Sequence, residues 1–210
     1  MINAETFFTA EEKKQVSSVI KEVERKTAGE VAVMVVDQSD TYPESRLLAG
    51  ILIGGSLSLL VTDQFFSDSL WIFAPLMAVL SVLLGWLVNF MPDIKRFFTP
   101  VGRLEERVRN RALQAFFEKE LYKTRDDTGV LFFISLFEHK VWILADKGIY
   151  EKIAPEELLA YAVDVAHGVK TGKATEALCR EIKKVGTILA RHFPIKSDDS
   201  NELSNEVITG

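Results

Sequence analysis

One cysteine, Cys179, stands among 210 residues. No internal disulfide can form, and the chain fits a reducing compartment. The three histidines, His139, His167 and His192, fall in different expected elements, whereas a zinc site needs clustered ligands, so none is expected. Positive charge is not in excess. Lys and Arg number 25 against 30 Asp and Glu, a net charge of −5, which excludes a general nucleic-acid binder. The opening MINAETFFTAEEKK lacks a basic start followed by an apolar stretch, so no secretory signal is expected there. No serine has the surroundings of a nucleophile elbow, and no catalytic residue is assigned.

What the chain has in quantity is apolar surface. Hydrophobic residues make up 48% of it, yet mean hydropathy is only +0.11, so they are concentrated. Leu47 to Thr62 carries no charge, and neither does Ser69 to Pro92. A bilayer-spanning helix needs about 20 apolar residues. The second run exceeds that length; the first reaches it only if Gln64, Phe65 and Phe66 complete it. Neither run shows the polar stripe of a soluble core helix. A transmembrane helical hairpin over 46–93 is expected, turned by a short segment holding Asp63 and Asp68. Arg46 precedes the hairpin, and Lys95, Arg96 and Arg103 follow it. Cationic flanks stay on the cytoplasmic side, so both ends are expected to face the cytoplasm. Trp71 and Trp86 sit where interfacial anchors belong.

Small residues mark how the spans meet. Gly50, Gly54, Gly55 and Ser58 on the first can face Ala74, Ala78, Ser81 and Gly85 on the second. Packing within the hairpin is the main expectation; homo-oligomerisation through Gly50 and Gly54 is the alternative.

The flanks belong together. Thr9 and Glu12 form a capping box, and Val16, Val19, Ile20 and Val23 repeat at helical spacing up to Gly29. EVAVMVVD then carries apolar residues on both faces, the pattern of a central strand covered on both sides. A lone strand is not stable, so its partners must lie beyond the hairpin. There, RLEERVRNRALQAFFEKELYKT reads as an amphipathic helix with Val108, Ala112, Ala115, Phe116 and Leu121 inward. Val130–Phe137 and Val141–Ala145 read as strands joined by EHK. Two helices follow, about 155–169 and 175–192. One discontinuous α/β domain, 5–40 with 97–193, is expected, and 194–210 is a polar tail.

These segments resemble a known family. KTAGEVAVMVVD, RNRALQAFFEKELYKTRDDTGVLFFISLFEHKVWILADKGI and GTILARHFP are similar to the TPM-domain proteins, which include thylakoid-lumen, photosystem-repair and receptor-modulating members. They are most similar to its short bacterial membrane branch with an inserted hydrophobic hairpin. The resemblance implies a three-layer α/β/α sandwich with a small central sheet. It also implies weak acid-phosphatase activity, divalent-cation binding, or work on membrane complexes. Better-known members place the domain outside the cytoplasm, unlike the orientation expected here.

Topology tests whether acids converge. A crossover makes the first and second strands parallel, and the EHK turn makes the second and third antiparallel, so the sheet is mixed. Glu30, Asp126, Asp127 and Asp146 then share one edge, an oxygen-ligand set suited to Mg²⁺ or Ca²⁺. The alternative is that they are solvated strand-end acids with Arg125 and Lys147 nearby. GVKTGKAT has glycines too close together for a phosphate loop and is read as an inter-helix turn. Arg103, Arg107, Arg109 and Arg111 are candidates for lipid headgroup contact, offset by Glu105 and Glu106. Two functions follow. The favoured one is a non-enzymatic assembly or quality-control factor of the bacterial inner membrane, acting on a membrane-protein partner from the cytoplasmic side. The other is a divalent-cation-dependent phosphatase-like hydrolase.

Overall fold

The computed structural model describes residues 3–66, 69–195 and 204–210. Asp68, in the expected turn, and 196–203 of the tail lie outside the described residues. The chain divides into two compact units, Met1–Ser39 with Glu106–Gly210, and Asp40–Glu105. The elements in order are α1 (Ala4–Phe7), α2 (Ala10–Glu24), β1 (Glu30–Val36), α3 (Pro43–Phe66), α4 (Leu70–Leu87), α5 (Pro92–Phe97), α6 (Val101–Glu118), β2 (Gly129–Ser135), β3 (Lys140–Ala145), α7 (Lys147–Tyr150), α8 (Pro155–Lys170), α9 (Ala174–His192) and β4 (Ile208–Thr209).

In the first unit, α2 begins where its sequence says it should. The Thr9 hydroxyl accepts from Glu12 N–H while the Glu12 carboxylate accepts from Thr9 N–H, which satisfies two donors that helix geometry leaves open. Val16, Val19, Ile20 and Val23 are buried. The helix stops at Glu24, five residues short of Gly29. Gly29 has a packing role instead, since a Cβ there would come within 2.9 Å of the Leu189 side chain.

The sheet is mixed, in the order β3-β2-β1-β4. β1 runs parallel to β2 along its whole length, from Glu30 opposite Gly129 to Val36 opposite Ser135. β2 runs antiparallel to β3. The alternation of strand side chains sorts the core into two clusters. Val31, Val33 and Val35 join α2, α8 and α9 through residues such as Ile20, Val165 and Ile182. Ala32, Met34 and Val36 join Val108, Ala112, Ala115 and Phe116 of α6. Both faces of β1 and β2 are therefore buried, and this is why those strands carry no polar alternation.

Three expectations need correction. The polar tail is not all tail: Ile208 and Thr209 form β4, parallel to Met34 and Val35 of β1. The second strand, expected to run to Phe137, ends at Ser135; the third ends at Ala145 as expected, and the Asp146 side chain then caps a single helical turn, α7, by accepting from Lys147 N–H. The helix expected to run through Leu121 stops at Glu118, because Glu120 takes a left-handed conformation (φ 58°) and turns the chain. Leu121 is buried nonetheless.

In the second unit, α3 and α4 are both long and apolar enough to cross a membrane. α3 extends through Phe65 and Phe66. The two helices touch through their small residues. A Cβ on Gly50 would lie 2.4 Å from the Ser81 carbonyl oxygen, and one on Gly54 would lie 2.6 Å from Ser81 N. Such approach is open only to glycine. Ser58 Oγ donates to the Phe73 carbonyl at 3.1 Å. Gly50 and Gly54 are thus engaged by α4 of the same chain. At the hairpin's base, Ser45 and Thr99 hydroxyls meet at 2.8 Å, Arg103 pairs with Glu44 at 3.1 Å, and Arg46 donates to Asn89 at 3.2 Å. Tyr42 is fully buried with Lys95 Nζ 5.5 Å from its ring centre. Outward side chains are apolar and bare: Trp71 is 92% exposed and Val82 76%.

Candidate functional site

The start of β1, the approach to β2 and the end of β3 meet at one end of the sheet, as strand direction requires. Glu30 N–H donates to Thr128 O, and Asp146 N–H donates to the carbonyl of Gly129 at 2.9 Å. Gly148 N–H donates to Asp127 O at 3.1 Å. Only glycine fits at 148, because a Cβ would lie 2.8 Å from Asp127 O and 2.9 Å from Asp126 O. Asp127 itself is left-handed (φ 53°), which aims its carbonyl at that loop. Asp146 Oδ1 accepts from Lys147 N–H at 2.7 Å. Its Oδ2 is buried without a hydrogen-bond partner among the described residues.

Proximity of loops does not make a ligand set. Among the described residues no three Asp, Glu, His or Cys side chains gather closely enough to hold a metal ion. Glu30 has an acidic neighbour of its own. It is buried at the head of β1 and interacts with Glu24 at the end of α2. Glu24 Oε1 accepts from Val31 N–H at 3.0 Å, and Oε2 accepts from the Asn205 side-chain amide. Burial, with the neighbouring Glu30 charge adding to it, pushes the Glu24 carboxyl up to about 8. The two hydrogen bonds oppose this, yet burial wins because taking a charge out of water outweighs one or two donors.

Sequence reasoning missed Glu24, though a signal was there. It lies four residues after Ile20, on the apolar stripe of α2, where an acid needs a partner. Asn205 carried no comparable signal.

A second polar cluster lies at the opposite end of the strands. Glu138, in the β2–β3 turn, is fully buried. Its Oε1 accepts from Ser39 N–H at 2.8 Å, its Oε2 from the Ser135 hydroxyl, and the two serine hydroxyls lie 2.8 Å apart. This carboxylate ties the end of β1 to the end of β2. With a residue in the turn at positive φ, His139 (51°), the EHK segment is an ordered clasp.

The remaining candidates resolve simply. Cys179 is buried, and burial raises its thiol, so it is a core residue of low reactivity. GVKTGKAT joins α8 to α9 with Gly172 at φ 74°, the turn expected. Within the arginine row, Arg111 is paired with Glu118 at 3.0 Å and Arg103 with Glu44.

Neither a family model nor a curated protein matches the chain. The family resemblance drawn above therefore stands on the quoted segments alone. Among solved structures, the chain is similar to the BA42 protein of the psychrophilic bacterium Bizionia argentinensis, determined by NMR. Identity is 21% over 100% of both chains, with a TM-score of 0.62. At that identity the likeness shows a shared fold.

Proposed function

We propose that this chain is a membrane-anchored accessory protein without catalytic activity, of TPM-domain type. Its α/β/α three-layer domain would be held at the cytoplasmic face of a bacterial inner membrane by the α3–α4 hairpin, and would act in assembly or quality control of a membrane-protein partner. The observation that carries this reading is the hairpin surface. α3 and α4 satisfy each other through glycine contacts while their outward side chains, Leu60, Trp71 and Val82 among them, stay apolar and exposed. Exposed apolar surface on this scale needs a cover, and lipid suits two helices of spanning length, α4 without a charge and α3 charged only near its ends, at Glu44, Arg46 and Asp63. The two core clusters on opposite faces of the sheet support the three-layer arrangement. Membrane fractionation tests the anchor: the chain stays in membranes washed with alkaline carbonate. Release into the wash overturns it. A C-terminal alkaline phosphatase fusion should be inactive and a fluorescent protein fusion bright; the reverse overturns the orientation.

A second reading, divalent-cation-dependent phosphatase-like hydrolysis, is favoured by one observation, the buried Asp146 Oδ2 beside the Asp126–Asp127 loop. Calorimetric titration with Mg²⁺ and Ca²⁺, paired with phosphatase assays of D127N and D146N, separates the readings. Heat on titration and activity lost in both variants would displace the accessory role.

A further inference from the structure

The side of β1 that faces away from β2 is closed by a segment from the far end of the chain. Glu30 N–H donates to Thr128 O and Val36 O accepts from Leu136 N–H, so alternate residues from Glu30 to Val36 serve β2. Val31, Val33 and Val35 turn their amides to the opposite edge. Glu24 caps the Val31 N–H. Met34 and Val35 lie opposite Ile208 and Thr209, and Val35 O accepts from Gly210 N–H at 3.1 Å.

Side chains add to this backbone pairing. Val207 packs on the core cluster of one sheet face and Ile208 on that of the other. Asn205 donates its amide to Glu24, the same group that caps Val31. At Gly210 a Cβ would come 2.8 Å from the Met34 terminal methyl. Backbone bonds for affinity and alternate side chains for selectivity are the chemistry of strand addition to a sheet edge. The paired stretch is nevertheless two residues long, against seven in β1. Strands this short open easily.

We propose that the outer edge of β1 is a peptide-binding edge. In this structure Asn205–Gly210 closes it, and an extended peptide of the same chemistry takes their place: an amide side chain, two adjacent apolar residues beginning two positions on and facing opposite ways, and a glycine two positions after them. The β1 edge is the recognition surface, and displacement of the chain's own strand is the event that opens it.

The test uses the full chain in detergent micelles and a fluorescein-labelled Ser-Asn-Glu-Val-Ile-Thr-Gly peptide, followed by anisotropy. In I208P the chain's own strand cannot complete its pairing, because proline lacks the N–H and its ring is excluded from the ladder. That variant, with native circular dichroism, binds the peptide about tenfold more tightly than the unmodified chain, the effect of removing one or two competing hydrogen bonds. A peptide carrying the same proline does not bind. N205A, which keeps the sheet bonds, gives a second route and a smaller gain. Equal affinity of either folded variant and the unmodified chain overturns the proposal, as does binding of the proline peptide.

Discussion

The Glu24 carboxylate sits 3.0 Å from the Val31 amide nitrogen, so a helix-end acid fills the hydrogen-bonding position that a neighbouring strand would otherwise take on β1. An ionisable group in that buried position, beside Glu30, makes stability depend on pH.

Glu24 holds its proton more tightly in the folded chain, near 8, than in the unfolded chain, where 4.5 is the ordinary value. Its contribution is whole below about pH 4.5 and is lost as pH rises through about 8. Thermal melts of the unmodified chain should fall in midpoint between pH 5 and 9, after allowance for other groups. Glu24→Gln keeps the shape, cannot ionise, and should flatten that slope. A slope unchanged in Glu24→Gln would locate the dependence elsewhere.

Glu138→Ala removes an acceptor that receives Ser39 N–H and the Ser135 hydroxyl. Each donor left buried and unmet costs about 1–3 kcal/mol. Denaturant unfolding should show a loss of that order or somewhat more, with Glu138→Gln milder because one carbonyl oxygen remains. Equal losses for the two substitutions would count against the clasp.

Glu12 serves two masters: its Oε2 completes the capping box with Thr9, and its Oε1 accepts from Thr175 Oγ1 of α9 at 2.8 Å. Thr9→Ala should cost about 1 kcal/mol, the usual value of a lost cap. Glu12→Ala should cost more, since it also releases the tie to α9. The Thr9 bond and then Thr175 hold the Glu12 carboxyl below its ordinary value. Its contribution is therefore present above about pH 4.5 and lost on acidification, opposite in sign to Glu24.

Gly54→Ile should separate α3 from α4, because the first added carbon already meets Ser81 N at 2.6 Å. Overpacking of this kind costs about 1–3 kcal/mol. Gly55→Ala, where the new carbon meets only the Met77 side chain at 3.5 Å, should be close to neutral. Disulfide trapping between cysteines placed at 58 and 73 reads out both: efficient in Gly55→Ala, poor in Gly54→Ile.

Much of the fold was legible because its signals are periodic. The capping box fixed the start of α2, unbroken apolar residues marked β1 and β2 as doubly covered, and glycine spacing located the hairpin contact. Boundaries were less so. Helix α6 ends at Glu118, before a left-handed Glu120 that no glycine or proline announces, and β2 stops at Ser135 inside an apolar run that continues to Phe137. β4 was invisible, since Ile208 and Thr209 are two residues in a polar segment. The acids at the sheet edge were placed correctly in topology, but side-chain direction is not written in spacing. Glu30 meets Glu24 at the end of α2, a contact that spacing does not show.

The pairing of Glu30 with Gly129 has a consequence for synthesis. The central strand leaves the ribosome before the helical hairpin and about a hundred residues before its first neighbour, a wait on the order of 5–20 s at ordinary elongation rates. Throughout that interval six consecutive apolar residues, Val31 to Val36, lack a mate while two greasy helices emerge behind them. The polypeptide is thereby most vulnerable at birth, and a helper at the tunnel exit would matter more to its yield than any later gain in stability.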